Sequence, residues 1–228
     1  MSDFNQNNLY PTNRGKKQKI KKSSNRKLSS TIWIKRQLND PYVIEARNLG
    51  YKSRAAFKLL QINDKFNFLK PNKKVIDLGC APGGWLQVAS NKVLSNEKNI
   101  KVVGVDILPL DDIEGCRTFI GDINDPKLDG KLISSLGDYP DIILSDMAAN
   151  VIGHKKTDHL KTTHLVEIAL DFALKNLKNN GVFLVKTFKG GTEIDLLNKM
   201  KKNFKTVKNV KPLASRPESV ESYTICID

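Results

Sequence analysis

The sequence predicts an α/β domain, a mostly parallel sheet with helices on both faces. Three observations carry that prediction. From Lys74 onward, short apolar runs alternate with helix-period stretches. The first run, Val75-Ile76-Asp77-Leu78, enters a glycine-rich turn, Gly79-Cys80-Ala81-Pro82-Gly83-Gly84, which opens into a helical pattern at Trp85, Leu86, Val88 and Ala89. The last two apolar runs have no long helix between them, which predicts an antiparallel strand pair at one side of the sheet.

Each element follows in order. Residues 1–30, rich in Asn, Lys, Ser and Gln, lack hydrophobic periodicity and are expected to form a basic, disordered N-terminal extension. Residues 31–228 suffice for a single domain with a proper core. A short helix is predicted over about Pro41–Leu49, with Asp40 as its cap and Pro41 in its first turn. Ser53 is expected to cap a second helix whose apolar face is Ala56, Phe57, Leu59, Leu60 and Ile62. Its polar face carries Arg54 and Lys58, four residues apart and pointing the same way. Buried strands are predicted at Val75–Leu78, Val102–Val105, Thr118–Ile120, Ile142–Leu144 and Val182–Val185. Helices fill the gaps at Trp85–Leu94, Leu132–Leu136, Thr163–Leu177 and Ile194–Met200. Thr206–Val210 and Tyr223–Ile227 complete seven strand-like runs.

The net charge of +14 is unevenly spread. Residues 1–36 hold ten Lys and Arg against one Asp, so nine of the fourteen net positive charges lie there. A polyanion such as nucleic acid is the natural partner. Three cysteines without CxxC spacing suggest neither a disulfide framework nor a zinc site, which favours a reducing, cytoplasmic location. No apolar run approaches the ~20 residues that span a bilayer, and no hydrophobic signal core is present, so neither membrane nor secretion is expected. His154, His159 and His164 cluster, but no carboxylate or cysteine pattern joins them, and no metal is expected.

The turn itself narrows the ligand. A dinucleotide fingerprint needs glycine where Ala81 stands, so a pyrophosphate could not approach the backbone. The Gly-Lys-Ser/Thr of a phosphate-binding loop is absent. A nucleoside without a pyrophosphate remains. Asp106, ending the second strand, can accept both ribose hydroxyls, and Asp122, after the third, can meet an adenine amino group.

Asp77 to Trp85, with Ser53-Arg54-Ala55-Ala56-Phe57-Lys58-Leu59, resembles the FtsJ/RrmJ (RlmE) RNA 2′-O-ribose methyltransferases over about residues 40–228. Ser145-Asp146-Met147-Ala148, Leu184-Val185-Lys186 and Ser219-Val220-Glu221-Ser222-Tyr223 match as well. The resemblance implies a Rossmann-like S-adenosylmethionine-dependent methyltransferase fold, with a mostly parallel seven-stranded sheet, an antiparallel strand near the C-terminus and helices on both faces. It implies S-adenosyl-L-methionine as cofactor, and a Lys–Asp–Lys–Glu catalytic set on Lys58, Asp146, Lys186 and Glu221. It also implies a cofactor site lined by Gly83, Trp85, Asp106, Asp122 and Asp146. The chain departs from the family pattern at Cys80, where a small residue is common, and at Ala149, which replaces a proline.

The chemistry of the residues agrees. Asp146 follows the fourth strand and Lys186 ends the fifth, so both should emerge at the carboxyl edge of the sheet. A ribose hydroxyl that attacks a methyl group must be held in line and helped to lose its proton. Lys58 or partial burial would lower the pKa of Lys186 and make the neutral amine available, whereas Asp146 and Glu221 would pull the other way. Lys186 is therefore expected to deprotonate or polarise the 2′-hydroxyl, Asp146 to position it, and Lys58 and Glu221 to complete the network. Arg54 and the Lys35-Arg36 region are expected to bind phosphates. By the resemblance, the expected substrate is a uridine ribose in the A-loop of 23S rRNA in the large (50S) subunit, since the chain ends at Asp228 just after the last strand, like the compact rRNA type. A tRNA 2′-O-ribose methyltransferase and a non-catalytic RNA-binding module of the same fold are the alternatives. A monomer is expected.

Overall fold

A computed structural model of the chain describes residues 9–11, 18–19, 28–149, 155–188 and 193–228. Among the described residues, three helices precede the sheet: α1 Leu28–Leu38, α2 Pro41–Asn48 and α3 Ala55–Phe66. The alternating part follows as β1 Val75–Leu78, α4 Gly84–Val93, β2 Val102–Asp106, β3 Cys116–Ile120, α5 Leu128–Leu136, β4 Ile142–Ser145, α6 Lys155–Asn176 and β5 Val182–Phe188. The chain closes with α7 Glu193–Asn203, β6 Thr206–Val210 and β7 Glu221–Ile227.

The seven strands form one sheet in the order β3-β2-β1-β4-β5-β7-β6. The first five pair in parallel, and β7 runs antiparallel between β5 and β6. This is the predicted architecture, with a Rossmann-like reversal of strand order at β1/β4. Ligands bind at such a reversal, outside the carboxyl ends of the strands.

Side chains alternate between the two faces of a strand, and this alternation sorts the core in two. Val75, Val102, Ile142, Leu144, Val182, Leu184, Tyr223 and Ile225 join the side chains of α3 and α4. Ile76, Leu78, Val103, Val105, Ile143, Phe183, Val185 and Cys226 join those of α5, α6 and α7. By the same count of two, Asp77, Lys186 and Glu221 fall on the α3/α4 face, as does Asp146 one step beyond β4. Lys58 lies on α3, which covers that face. The pleat thus delivers Asp146, Lys186 and Glu221 to one side of the sheet, and α3 brings Lys58 to the same side.

Several boundaries differ from expectation. β5 continues to Phe188, because β7 offers it a partner through Phe188↔Glu221, so Lys186 lies within the strand opposite Tyr223. α5 begins at Leu128, four residues early, across Gly130, which reads as a turn in sequence but is carried by the burial of Leu128, Leu132 and Leu136. α6 begins at Lys155, ahead of its apolar face. Asp40 caps α2 as predicted, accepting from the Tyr42 N–H at 3.0 Å. Ser53 does not cap α3: Arg54 holds the cap position without a side-chain bond, and Ser53 Oγ is buried without a partner. Gly84 explains the crowding, since a Cβ there would lie 2.5 Å from Ser53 Oγ. Most of residues 1–30, where disorder was expected, lie outside the described residues. So do His154 and the side chain of His159.

Candidate active site

The turn after β1 is shaped by two left-handed glycines, Gly79 (φ +76°) and Gly83 (φ +105°). Gly83 is the residue from which α4 starts, and its left-handed backbone turns the chain into the helix. Asp106, at the end of β2, holds the turn from outside. One of its oxygens accepts the Ala81 N–H at 2.8 Å and the other the Leu108 N–H at 2.9 Å. Asp122 lies just beyond β3, where Gly121 N–H is bound to the Asp106 carbonyl at 2.9 Å. Its Oδ1 is occupied by the backbone and side-chain amides of Asn124.

Between this turn and Asp146 opens a cleft of about 190 Å³, bordered also by Ser53, Arg54, Ala55 and Trp85. Of the residues implied for the cofactor, Trp85 and Asp146 line it, whereas Gly83, Asp106 and Asp122 are not among its lining residues; Asp106 reaches it only through its bond to the lining Ala81. Trp85 also fixes the wall: its Nε1–H donates to the Ala55 carbonyl at 2.8 Å, and its ring lies 5.8 Å from that of Tyr223.

Asp77 is the residue that sequence reasoning passed over. It is 1% exposed, lines the cleft, and neither carboxylate oxygen has a hydrogen-bond partner. Burial, then the nearby charges of Asp146 and Asp106, push its pKa well above the ordinary carboxylate value. A buried acid without a partner is costly, and a cation in the cleft would relieve it. The signal was present in the sequence as a lone acid inside a buried strand.

Lys58, Asp146, Lys186 and Glu221 converge at the other end of the cleft. Lys58 Nζ lies 2.8 Å and 2.9 Å from the two Glu221 oxygens and 4.0 Å from Asp146 Oδ2. Lys186 Nζ lies 3.3 Å from Glu221 Oε2 and 3.4 Å from Asp146 Oδ1. Two ammonium groups and two carboxylates alternate around a small ring, neutral as a set, which lets it sit largely buried. Tyr223 and Ser215 brace it, donating to Asp146 Oδ1 and Glu221 Oε1, each at 2.7 Å. The Tyr223 ring also lies 5.6 Å below Lys58 Nζ. Neither brace was anticipated, although Tyr223 lay in a quoted motif.

The charges act on one another. Burial alone would lower the Lys186 pKa, but the attraction of Asp146 and Glu221 outweighs it and the net displacement is upward. Burial would raise Glu221, yet Lys58 and Lys186 overcome this and bring it down to about 2. The lowered lysine pKa that a neutral base requires is therefore absent from this structure, because two carboxylates face Lys186 at 3.3 Å and 3.4 Å. Stability follows in sign. The Lys186 contribution is complete below the ordinary value of 10.5 and is lost as pH rises through its higher folded value. The Glu221 contribution is complete above 4.5 and is lost as pH falls towards about 2.

Arg54, expected at a phosphate, has partners of its own in the fold. Its guanidinium is paired with Asp40 and donates to the Ala214 carbonyl, and Arg216 approaches the same Asp40 oxygen at 3.6 Å. The 9%-exposed Asp40 needs these partners, so Arg54 fastens α3 to α2 and to the loop that leads into β7. Among the described residues no group of three or more His, Cys, Asp or Glu gathers as metal ligands. No helix among them is long and apolar enough to cross a membrane. All three cysteines are free thiols.

A family model described as FtsJ-like methyltransferase matches residues 51–228. The chain is 53% identical over 212 residues to ribosomal RNA large subunit methyltransferase E of Mesorhizobium japonicum, covering 93% of this chain and 80% of the relative. It is 51% identical over 208 residues to the protein of the same name from Brucella ovis, covering 91% and 87%. The crystal structure of a candidate ribosomal RNA methyltransferase from Plasmodium falciparum superposes with a TM-score of 0.68 at 34% identity, covering 78% of this chain and 98% of that one. With the turn, the cleft and the charged ring all lying inside the matched span, the chain belongs to the FtsJ-like methyltransferase family.

Proposed function

We propose that the protein transfers a methyl group from S-adenosyl-L-methionine to the 2′-hydroxyl of a uridine ribose in the A-loop of 23S rRNA, acting on the large (50S) ribosomal subunit. The observation that carries this reading is the Lys58–Asp146–Lys186–Glu221 ring at the carboxyl edge of the sheet, beside a cleft built on a glycine turn. The relatives named for ribosomal RNA support the substrate. The reading has a cytoplasmic monomer at work, which the free thiols suit.

The cleft fits the donor chemically. S-adenosylmethionine, when bound, supplies an electrophilic methyl group on a cationic sulfonium, and it also carries an ammonium group. The unpartnered Asp77 carboxylate offers a counter-charge that the fold itself does not use. Gly83, Trp85, Asp106, Asp122 and Asp146 would be the residues that hold the donor. Asp77→Asn is expected to raise the melting midpoint of the donor-free protein at pH 7, because ionising Asp77 costs more as pH climbs from 3.8 towards its raised folded value. The same change should weaken donor binding roughly 10–100-fold, the worth of a charged hydrogen bond. Unaltered donor affinity by calorimetry would remove Asp77 from the site.

At the ring, Lys186 donates a hydrogen bond to the 2′-oxygen and polarises it. Asp146 Oδ2, the oxygen that Tyr223 does not occupy, accepts from the hydroxyl, orients it and takes the proton that the oxygen releases on gaining the methyl group, the donor sulfonium being left as a neutral thioether. Lys58 and Glu221 hold both groups in place. With Lys186 kept as ammonium, kcat/KM is expected to be level from about pH 7 to 10 and to fall only above 10.5. A climb of about tenfold per pH unit through that range would assign proton removal to the neutral amine instead.

Incubation with methyl-labelled donor and 50S subunits, free rRNA or tRNA, followed by mapping of the modified ribose, tests the whole reading. Label at a 23S ribose 2′-oxygen is expected. Label confined to tRNA would overturn the substrate, and binding without label would mark a non-catalytic RNA-binding module.

A further inference from the structure

α1 carries an unusual surface. It contains no acidic residue, and it turns Ile32 (52% exposed) and Trp33 (59% exposed) to solvent. Lys35 and Arg36 are exposed beside them. Positions 32, 33 and 36 share one helix face through their three- and four-residue spacings. The result is a solvent-facing indole flanked by cations, while the only other tryptophan, Trp85, is 3% exposed.

The helix is tied to the catalytic ring. Arg36 Nη1 lies 3.5 Å from Glu218, in the same loop that supplies Ser215 and runs into Glu221. Just past the end of α1, Asp40 receives Arg54 and Arg216. The leader is fastened to the same region. The Asn39 side chain accepts from the Gln18 N–H at 2.9 Å and donates to the Gln18 carbonyl at 3.2 Å. Farther back, Leu9 is buried, and its carbonyl accepts from Gln61 Nε2 at 2.9 Å on α3. Eight of the ten cations in residues 1–36 precede α1 in sequence.

We infer that the Ile32–Trp33–Arg36 face of α1 is a stacking platform for an unpaired base of the RNA substrate, with Lys35 and Arg36 neutralising the flanking phosphates. This rests on the RNA reading proposed above. An exposed aromatic ring with adjacent cations is how proteins hold unstacked bases, and the net positive charge supplies the complement to a polyanion.

The test uses the full chain and a protein-free RNA hairpin with an unpaired loop, with a fully paired duplex as control. Tryptophan emission, dominated by the exposed Trp33, is expected to be quenched by the hairpin. Trp33→Ala should weaken hairpin binding roughly 5–100-fold, the range for one stacked base, with Trp33→Phe restoring most of it. Lys35→Ala and Arg36→Ala should instead each lower the salt dependence by about one counterion. Equal hairpin affinity of Trp33→Ala and wild type would overturn the platform. So would quenching by intact 50S subunits but not by protein-free RNA, which would assign the face to a protein partner. Methyl transfer is followed in parallel. Wild type that labels rRNA, with Trp33→Ala showing the same KM, overturns the platform and leaves the enzyme reading standing. Trp33-dependent binding without any label does the reverse.

Discussion

Lys186→Ala should lower methyl transfer by roughly 10²–10⁴-fold, the contribution of a positioned acid–base group, while donor affinity stays close to wild type. The amine is one of two cations in the ring and touches both carboxylates, at 3.3 Å and 3.4 Å. Its removal leaves Glu221 still paired with Lys58 at 2.8 Å, but Asp146 only with a lysine at 4.0 Å and the Tyr223 hydroxyl. Breaking a buried pair outright costs about 3–5 kcal/mol. Here the second lysine remains, so the loss in stability should fall below that range. Single-turnover methylation, calorimetric donor binding and thermal melting separate these effects. Turnover near wild type would show that the ring is structural. Lys186→Arg preserves the charge but not the compact ammonium, and it should recover stability without recovering rate.

Gly79→Ala should damage the other end of the cleft. The residue has φ +76°, and a Cβ there would stand 2.2 Å from Met147 Cγ and 3.4 Å from the Met147 Cα. The left-handed backbone alone costs about 1–2 kcal/mol for a residue with a Cβ. The collision adds to this, and it pushes on the neighbour of Asp146. Donor affinity should drop at least about tenfold, since each 1.4 kcal/mol is a factor of ten, and the melting midpoint should fall with it. Adding Met147→Ala removes the collision but not the strain, so the double variant should recover part of the loss. Wild-type donor affinity in Gly79→Ala alone would mean that the turn tolerates a Cβ and does not set the site.

Part of this was legible because strand ends are marked locally in sequence. Asp146 after the fourth strand and Lys186 at the end of the fifth could be placed together at the carboxyl edge of the sheet before any coordinates, whereas Lys58 and Glu221 joined them only through the family resemblance. Asp77 was equally legible in principle, but an acid inside Val75–Leu78 reads as an exception to the pattern rather than as a ligand. What the sequence could not show were pairings between distant loops. Arg54 and Asp40 lie fourteen residues apart and Arg54 and Ala214 lie 160 apart, so no periodicity links them. The same holds for the direction of the Lys186 shift, which depends on whether two carboxylates or one lysine stands nearest. α1 escaped notice for a different reason: its apolar residues face solvent, so the burial that normally writes a helix period into sequence is missing.

The insertion of β7 between β5 and β6 also orders events in time. Glu221 and Tyr223 arrive with the last strand, and their contact with Lys58 closes a loop of 163 residues. Contacts so distant along the chain are slow to form. During synthesis the glycine turn and the cleft wall are made before the ring receives Glu221 and its Tyr223 brace. On the reading proposed above, the donor side of the site is therefore built ahead of the acceptor side.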